Sequence, residues 1–296
     1  MSGQAFPAPR ARQSRRAPSR QRPGLPFLLI VLALVYFLLP LYWIALSTGK
    51  DNGQLFGGNG LLPAFPWHLS ENLRDAFAYQ GGILWRWLGN SLLYACLVGA
   101  GSTFLSALAG YAFAKFEFPL KGLWYLMILG GVLIPFTALV LPIFLLMHQL
   151  RLLDTLWAFV LPSLVNPFGV YLMTIFWTQS FPDELREAAT LDGAGEWTVF
   201  TRIGLPLVRN GLVTVALFAF VDTWNNFFLP LVVFSKTELF PATVGLSVWN
   251  STAALGEKIS YTTVITATTV SFLPLLVLFL VLQRSWKDGL AIGAIK

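Results

Sequence analysis

The chain has 296 residues, of which 56% are hydrophobic and only 11% are charged. Soluble domains carry about 25% charged residues, so this composition excludes a soluble globular protein and indicates an integral membrane protein. The formal net charge of +6 lies outside the apolar runs. We interpret it as a signal of membrane topology and of attraction to anionic lipid, rather than as a sign of nucleic-acid binding.

Six nearly charge-free stretches are each long enough for the roughly 20 apolar residues that cross a bilayer. They run over residues 23–49, 87–114, 122–150, 155–182, 210–235 and 259–283. The sequence therefore predicts an all-α polytopic membrane protein whose six transmembrane helices occupy residues 25–283. Two further charge-free intervals, 52–70 and 239–256, are interrupted by glycine and proline and are predicted to be loops outside the membrane.

The segments between the spans predict the topology. Residues 1–24 contain six arginines and no acidic residue, which predicts a disordered basic tail in the cytoplasm. A cleaved signal peptide is the alternative, but the apolar run that follows is too long and no small-residue cleavage site ends it. Lysine and arginine also concentrate at 111–121, at 178–210 and in a carboxyl-terminal tail, 284–296, so the positive-inside rule predicts that both termini are cytoplasmic.

The second to fourth spans carry small and helix-breaking residues. Ser102, Ser106 and Gly110 recur every four positions, which predicts that another helix approaches closely. The third and fourth spans contain prolines, and a proline leaves a backbone carbonyl group free, which is tolerated where that group faces protein or a water-filled cavity. These breaks are candidate walls of a translocation path, with Asn166 as a lining residue; packing kinks are the alternative.

A polar interruption at 180–210 separates the fourth and fifth spans and predicts two short helices. Ser180 and Asp183 form a predicted capping box, and the proline between them suits a first turn, so the first helix should run over 182–191. Gly193 is placed to end it in a left-handed conformation, and a second helix should follow.

The first of these helices has one face of small residues. Leu185, Ala188, Ala189 and Asp192 fall at i, i+3, i+4 and i+7, which predicts a flat surface that a partner can approach. The aromatic side of the second helix, around Trp197, would pack back on the parent protein. An amphipathic linker lying on the membrane is the alternative.

Seven residues of this loop match, at every spacing, the pattern E-A-A, three residues, G, nine residues, I-x-L-P. They are Glu187, Ala188, Ala189, Gly193, Ile203, Leu205 and Pro206. The pattern resembles the EAA loop of binding-protein-dependent ABC importer permeases, in which it forms a coupling helix that docks in a cleft of the cytoplasmic ATPase. The resemblance implies that Glu187, Ala188, Ala189, Asp192 and Gly193 couple this chain to an ATPase.

The fifth span contains the polar residues Asp222, Trp224, Asn225 and Asn226 within apolar sequence. A carboxylate at the centre of a spanning helix costs about 2.5–3.5 kcal/mol, so Asp222 should face protein or water. The cluster predicts either a translocation path that hydrogen-bonds sugar hydroxyls and stacks on Trp224, or contacts that cross-link the spans or gate the path.

Two further segments resemble carbohydrate permeases. Residues 224–230 match the W-N-x-F-x-x-P pattern of sugar permeases, and the chain end matches Q-R-x-x-x-x-G-L-x-x-G-A-x-K of the carbohydrate-uptake branch. The residues that match this ending are Gln283, Arg284, Gly289, Leu290, Gly293, Ala294 and Lys296. The chain thus resembles the maltose-type permeases, which implies the MetI-like ABC importer permease fold.

The resemblance implies a sugar-import subunit in the cytoplasmic membrane of a bacterium or archaeon, in which ATP hydrolysis by partner subunits drives alternating access. The implied partners are a second similar permease, two ABC ATPase subunits, an extracytoplasmic solute-binding protein, the sugar and membrane lipid. The sequence contains no Walker A pattern for binding ATP and no Ser-His-Asp catalytic arrangement. We therefore expect no enzyme activity and no cofactor in this chain. ATP and Mg would be bound by the partner ATPase.

Two alternatives stay open. The first is an ion-coupled secondary transporter that uses Asp222, although the other spans offer no further acidic or basic residue for the ion path. The second is an ABC importer permease of the same fold for a non-sugar solute.

Overall fold

The computed structural model describes residues 24–256 and 259–293, with side chains described up to residue 281. The described residues form helices and turns without a β-strand, which confirms the all-α class. The predicted basic tail, except its last residue, lies outside this part of the chain.

The chain divides into two compact units, Met1–Ile44 and Ala45–Lys296. The first unit contributes most of helix α1 (Leu25–Ser47), which is long and apolar enough to cross a membrane. Its sequence is apolar around the whole circumference, as expected of a helix that faces lipid.

The second unit contains the other candidate spans. Two are long helices without a break, α4 (Ile83–Lys115) and α15 (Tyr261–Gly293). Three more are bent pairs: α5 (Lys121–Leu133) with α6 (Phe136–Gln149) at 104°, α7 (Leu156–Ser163) with α8 (Pro167–Ser180) at 42°, and Glu196–Leu207 with α12 (Arg209–Asn225) at 80°. The described residues thus contain three spans, or six if each bent pair is one span, in agreement with the prediction.

The breaks in two of these spans coincide with the prolines. Pro135 stands directly before α6, and Pro167 is the first residue of α8. Proline suits a helix start because its missing N–H is not needed there. Asn166 caps α8, since its Oδ1 accepts a hydrogen bond from the Gly169 backbone N at 2.8 Å.

Two span ends differ from the prediction. The fifth apolar interval continues to residue 235, but α12 ends at Asn225 and a separate helix, α13 (Phe228–Val233), follows. Asn226 is extended between them, and Thr243 Oγ1 donates to its carbonyl oxygen at 2.8 Å. At the chain end, α15 continues to Gly293, so the predicted tail at 284–296 begins inside a helix.

Helix α4 packs along both α8 and α12. Ser102, Ser106 and Gly110 are buried on it, and a Cβ added to Gly110 would lie 2.7 Å from the Met173 Cβ of α8. The two backbones therefore approach more closely than a side chain at Gly110 allows, as the four-residue spacing predicts.

The interval 239–256 is mostly a helix, α14 (Ala242–Ala254), so the prediction of a loop there is wrong. This helix packs on α4 and α15. A Cβ at Gly245 would lie 2.2 Å from the Trp87 ring, so this glycine serves close packing rather than a turn. The other predicted loop, 52–70, contains α2 (Asn52–Gly57) and an irregular stretch before α3 (Leu69–Ala78).

The segment between α8 and α12 has the predicted helix-turn-helix form. It contains α9 (Asp183–Leu191), then α10 (Glu196–Thr198), a π turn (Val199–Gly204) and α11 (Leu205–Leu207).

Candidate functional site

Helix α9 begins after Pro182, whose φ of −61° suits the entry to a helix. Acidic side chains occupy the first turn, where they stabilise the positive end of the helix dipole. The predicted capping box between Ser180 and Asp183 is wrong. No side chain caps the helix, and the Asp183 carboxylate instead accepts a hydrogen bond from Lys115 of α4.

The end of α9 is set by Gly193, which has φ of +83°. The Gly193 N donates to the Thr190 carbonyl at 3.0 Å and the Ala194 N donates to the Ala189 carbonyl at 2.9 Å. This pair of bonds is the Schellman motif, which needs a left-handed residue at the position of Gly193. The predicted left-handed glycine is therefore confirmed, and it fixes where the exposed surface of α9 ends.

The face that α9 exposes differs from the predicted one. Ala189 is only 8% exposed and packs with the aromatic cluster of Trp177 and Phe200. Ala188 is exposed, and Leu191, one turn further, is 89% exposed. Ala188 and Ala189 are 100° apart on the helix, so the first belongs to the presented surface and the second attaches the helix to the protein.

The aromatic residues that follow α9 are likewise partly buried and partly exposed. Phe200 is buried and stacks on Trp177, with ring centroids 5.5 Å apart. Trp197 stacks on Phe200 from the other side but is 61% exposed. Trp197 thus adds an aromatic ring to the presented surface, whereas the prediction placed it entirely in the packing with the parent protein.

A charged network joins α9 to α10 and to α4. Arg186 Nε donates to Glu196 Oε1 at 3.1 Å, and Tyr111 Oη donates to Glu196 Oε2 at 2.9 Å. The Arg186 guanidinium also lies 4.8 Å from the centroid of the Phe116 ring. The hydrogen bond to Glu196 raises the pKa of Arg186 above its ordinary value. Arg186 therefore stays charged and holds three segments together.

A second contact joins the start of α9 to the end of α4. Lys115 Nζ lies 2.7 Å from Asp183 Oδ1, and the Lys115 side chain is only 3% exposed. The Lys115 ammonium also lies 5.4 Å from the centroid of Phe181, which is fully buried. The hydrogen bond from Lys115 lowers the pKa of Asp183. The first turn of α9 is therefore attached to α4 through Asp183 and to α10 through Arg186.

A cavity of about 830 Å³, lined mainly by apolar side chains with a few polar ones, lies where the broken spans meet. Its lining includes Ile134 at the α5–α6 break, Val165 and Asn166 at the α7–α8 break, and Asn226 at the end of α12. Broken helices around a cavity are the usual way in which transporters place polar groups at membrane depth.

The structure brings three of the five predicted path residues to this cavity, Asp222, Asn226 and Asn166. Asp222 and Asn226 share a direction because they are four positions apart. Trp224 is not part of the lining: it is buried and stacks on Phe220 at 5.8 Å. Asn225 is also outside the lining, and its Nδ2 donates to the Val221 carbonyl at 2.9 Å.

Comparison with known proteins identifies the family. Residues 102–288 match the family described as "Binding-protein-dependent transport system inner membrane component". The chain is also 34% identical over 269 residues to the lactose transport system permease protein LacG of Rhizobium radiobacter, which covers 90% of this chain and 94% of that protein. The chain belongs to this family of permeases.

Two more similarities characterise this permease. It is 31% identical over 260 residues to the arabinooligosaccharides transport system permease protein AraQ of Halalkalibacterium halodurans. The matched region covers 87% of this chain and 90% of that protein. It also matches a crystal structure of a bacterial ABC transporter involved in the import of the acidic polysaccharide alginate, with a TM-score of 0.77 and 22% identity over 90% of this chain and 99% of that chain. The latter similarity confirms the predicted permease fold.

Sequence reasoning missed the residues that attach α9 of the permease. Lys115 and Tyr111 are one turn apart on α4, and Glu196 lies ten positions after Arg186. Their opposite charges are visible in the sequence, but their pairing depends on how α4 meets the loop. Ser163 of the cavity lining was also missed, and its hydroxyl donates to the Phe159 carbonyl four residues earlier.

Proposed function

We propose that this permease is a membrane subunit of an ATP-driven, binding-protein-dependent importer for sugars. Partner ATPase subunits bind ATP and Mg and hydrolyse the ATP, and this chain converts their movement into alternating access without a cofactor of its own. The observation that carries the proposal is α9, a helix attached through its first turn that presents Leu185, Ala188 and Leu191 to a partner.

The attachment of α9 supports its role as the coupling helix. Glu187, Ala188 and Asp192 are exposed, so an ATPase can contact them. Behind this surface, Trp177 of α8 donates from Nε1 to the Ala107 carbonyl of α4 at 3.0 Å. A push on α9 would therefore move α4 and α8 together as one rigid body. Both helices contribute residues to the lining of the cavity, so the push would change the shape of the cavity.

The complex would contain a second similar permease, two ATPase subunits and a solute-binding protein, in the cytoplasmic membrane of a bacterium or archaeon. Both termini and the α9 loop would face the cytoplasm, as the distribution of lysine and arginine predicts. Membrane lipid would surround the spans, and nucleic acid would have no role.

A sugar is the proposed solute because two relatives are named for the transport of lactose and arabino-oligosaccharides. The structural neighbour is named for the import of an acidic polysaccharide. The shared fold thus accepts both uncharged and acidic carbohydrates, so the charge of the solute depends on the residues that line each permease.

An ion-coupled transporter that uses Asp222 is the second candidate, because this carboxylate lines the cavity. The two candidates differ in their energy source. In proteoliposomes with the complete complex, uptake of labelled lactose or arabinotriose should require ATP on the ATPase side and survive a protonophore. Uptake that survives without ATP and collapses with the protonophore would favour Asp222 coupling.

The docking role is tested by a pair of glycine variants. Gly193→Val places a β-branched residue at a φ of +83°, which costs about 1–2 kcal/mol and disrupts the Schellman motif. Gly195→Val is the matched control, because Gly195 has equal space around it and an ordinary φ of −72°. We expect co-purification of the ATPase to be lost with Gly193→Val and kept with Gly195→Val. Equal ATPase recovery with both variants would contradict the docking role.

A further inference from the structure

Among the described residues that line the cavity, one has an ionisable side chain, Asp222. The rest of its lining is apolar or carries uncharged polar groups, of which Asn166 and Asn226 are the amides. No lysine, arginine or histidine of the described chain belongs to the lining. The wall that this chain contributes is therefore negative wherever Asp222 is ionised.

The carboxylate of Asp222 also lacks compensation from within the described residues. No ion pair or hydrogen bond joins it to another described side chain or backbone group, in contrast to Asp154, Asp183 and Glu196, each of which is bonded. A carboxylate in a spanning helix that is left without a partner must be offset by water or by the solute. Asp222 is thus positioned to interact with whatever passes through the cavity.

The other polar groups of the cavity suit hydroxyl groups. Asn166 uses its Oδ1 to cap α8, and its Nδ2 has no described partner. The ionised Asp222 only accepts hydrogen bonds, and the amide Nδ2 only donates them. A hydroxyl both donates and accepts, so an uncharged polyol offers a hydrogen-bond partner to either group.

We propose that Asp222 determines the charge selectivity of the translocation path, so that the permease carries uncharged carbohydrates and rejects acidic ones. This inference rests on the proposed function and specifies its substrate class. At an effective dielectric constant of about 20, an anion about 8 Å from a carboxylate is disfavoured roughly thirtyfold, and a cation is favoured to the same degree. An acidic sugar would meet this repulsion with no described cation in the lining to offset it.

The test measures the charge selectivity of the cavity with thiol reagents. Cys96 is the single cysteine of the chain, so Cys96→Ser gives a cysteine-free background. Val165→Cys then places a thiol in the cavity lining, at a position that is 75% exposed. The complete transporter is labelled with two methanethiosulfonate probes, anionic 2-sulfonatoethyl and cationic 2-trimethylammonioethyl, and the two rates are compared.

Water and salt at the exposed position of Val165 screen most of this effect, so we expect the cationic probe to react about tenfold faster than the anionic probe, relative to the ratio for a free thiol. Asp222→Asn should reduce this ratio close to the free-thiol value, and Asp222→Glu should retain it. Leu62→Cys, in the exposed segment between α2 and α3, is the control position, and its ratio should not respond to either change at Asp222. A ratio at Val165→Cys that is the same with Asp222 and with Asn overturns the inference.

Uptake by the parent complex separates the two proposals. ATP-dependent uptake of arabinotriose or lactose with no uptake of a trisaccharide of uronic acid supports the charge selectivity. Uptake of the acidic trisaccharide at an equal rate overturns it while leaving the importer function intact. Failure of the assembled complex to use ATP for any uptake counts against the proposed function, whatever the labelling ratios are.

Discussion

The proposed docking end, which is α9 with the buried cluster behind it, and the cavity involve the same spans but are built by opposite means. Around α9, the buried rings of Trp177, Phe181 and Phe200 are packed together, and charged contacts tie α9 to α4 and α10. Around the cavity, three helices are interrupted and Asp222 has no partner among the described groups. The first region is closely packed, whereas the second has interrupted helices and a carboxylate without a described partner.

In the proposed mechanism, this difference indicates where a push at α9 would be converted into access to the solute. A close-packed region transmits displacement because it cannot deform gradually. Interrupted helices and partly satisfied polar groups open at lower cost than continuous ones. We therefore expect substitutions at the docking end to alter stability or coupling, and substitutions at the cavity to alter solute handling with little change in stability.

The largest effect is expected where α4 and α8 meet beside the docking end. A Cβ at Gly110 would lie 2.7 Å from the Met173 Cβ and 2.8 Å from the Thr174 backbone N. Gly110→Val should lower the free energy of unfolding by about 3 kcal/mol, because the α8 backbone cannot yield as a side-chain end can. Thermal unfolding of the detergent-solubilised protein measures this change.

Gly130→Val is the matched control for this substitution, because a Cβ at Gly130 in α5 meets nothing within 4 Å. The control should unfold within a few degrees of the parent protein. If both variants unfold alike, the close contact of α4 and α8 is not what holds the docking end rigid.

An intermediate effect is expected from Lys115→Met, which removes the ion pair to Asp183 but keeps the apolar stem that packs beside Phe181. Asp183 is largely exposed, so the pair contributes only about 0.2–1 kcal/mol to stability. We expect the ATPase to bind, while the uptake per ATP hydrolysed falls severalfold because the start of α9 moves independently of α4. Lys121→Met removes a pair with Glu117, four positions earlier and outside α9, and it should leave the uptake per ATP hydrolysed unchanged.

The same ion pair predicts a dependence of stability on pH. The hydrogen bond from Lys115 lowers the pKa of Asp183 in the folded protein. A lowered carboxyl pKa contributes stability above the unfolded value of about 3.9, and this contribution is lost as pH falls through the folded pKa. The difference in unfolding free energy between the parent and Lys115→Met should be constant near pH 7 and should shrink below about pH 4. A difference that grows on acidification would contradict this pairing.

Sequence reasoning succeeded where the signal is local. The prolines and Asn166 determine helix breaks through their own backbone geometry, and Gly193 ends α9 because only a left-handed residue completes that turn. The apolar intervals likewise predicted the spans, since crossing a bilayer depends on length and composition.

Sequence reasoning failed where the role of a residue depends on which helices pack together. Gly245 looks like a turn residue, but it allows α14 to approach Trp87. Asp183 looks like half of a capping box, but its carboxylate accepts a hydrogen bond from Lys115 of α4. Trp224 and Asn225 are adjacent to Asn226 in sequence but point elsewhere on α12, so only part of the predicted cluster reaches the cavity. Such contacts join residues far apart in the chain, and a single sequence does not specify them.

The smallest change in the coupling of uptake to ATP hydrolysis is expected at the cavity itself. Asn166→Ala removes the cap of α8, which costs about 0.5–2 kcal/mol, and removes the Nδ2 group that we assign to the solute. We expect a modest fall in unfolding temperature, normal ATPase recovery and a severalfold rise in the sugar concentration needed for half-maximal uptake by the reconstituted complex.

Asn225→Ala provides the comparison, because Asn225 neighbours the cavity residues in sequence but bonds only its own helix and is absent from the lining. Its half-saturating sugar concentration should match that of the parent complex. Because Asn166→Ala alters both a cap and the lining, Asn166→Asp separates the two roles: aspartate can still cap α8, but it adds a second carboxylate to the cavity. Restored stability with still weaker uptake would assign the Asn166 amide to the solute, whereas restored uptake would reduce Asn166 to a helix cap.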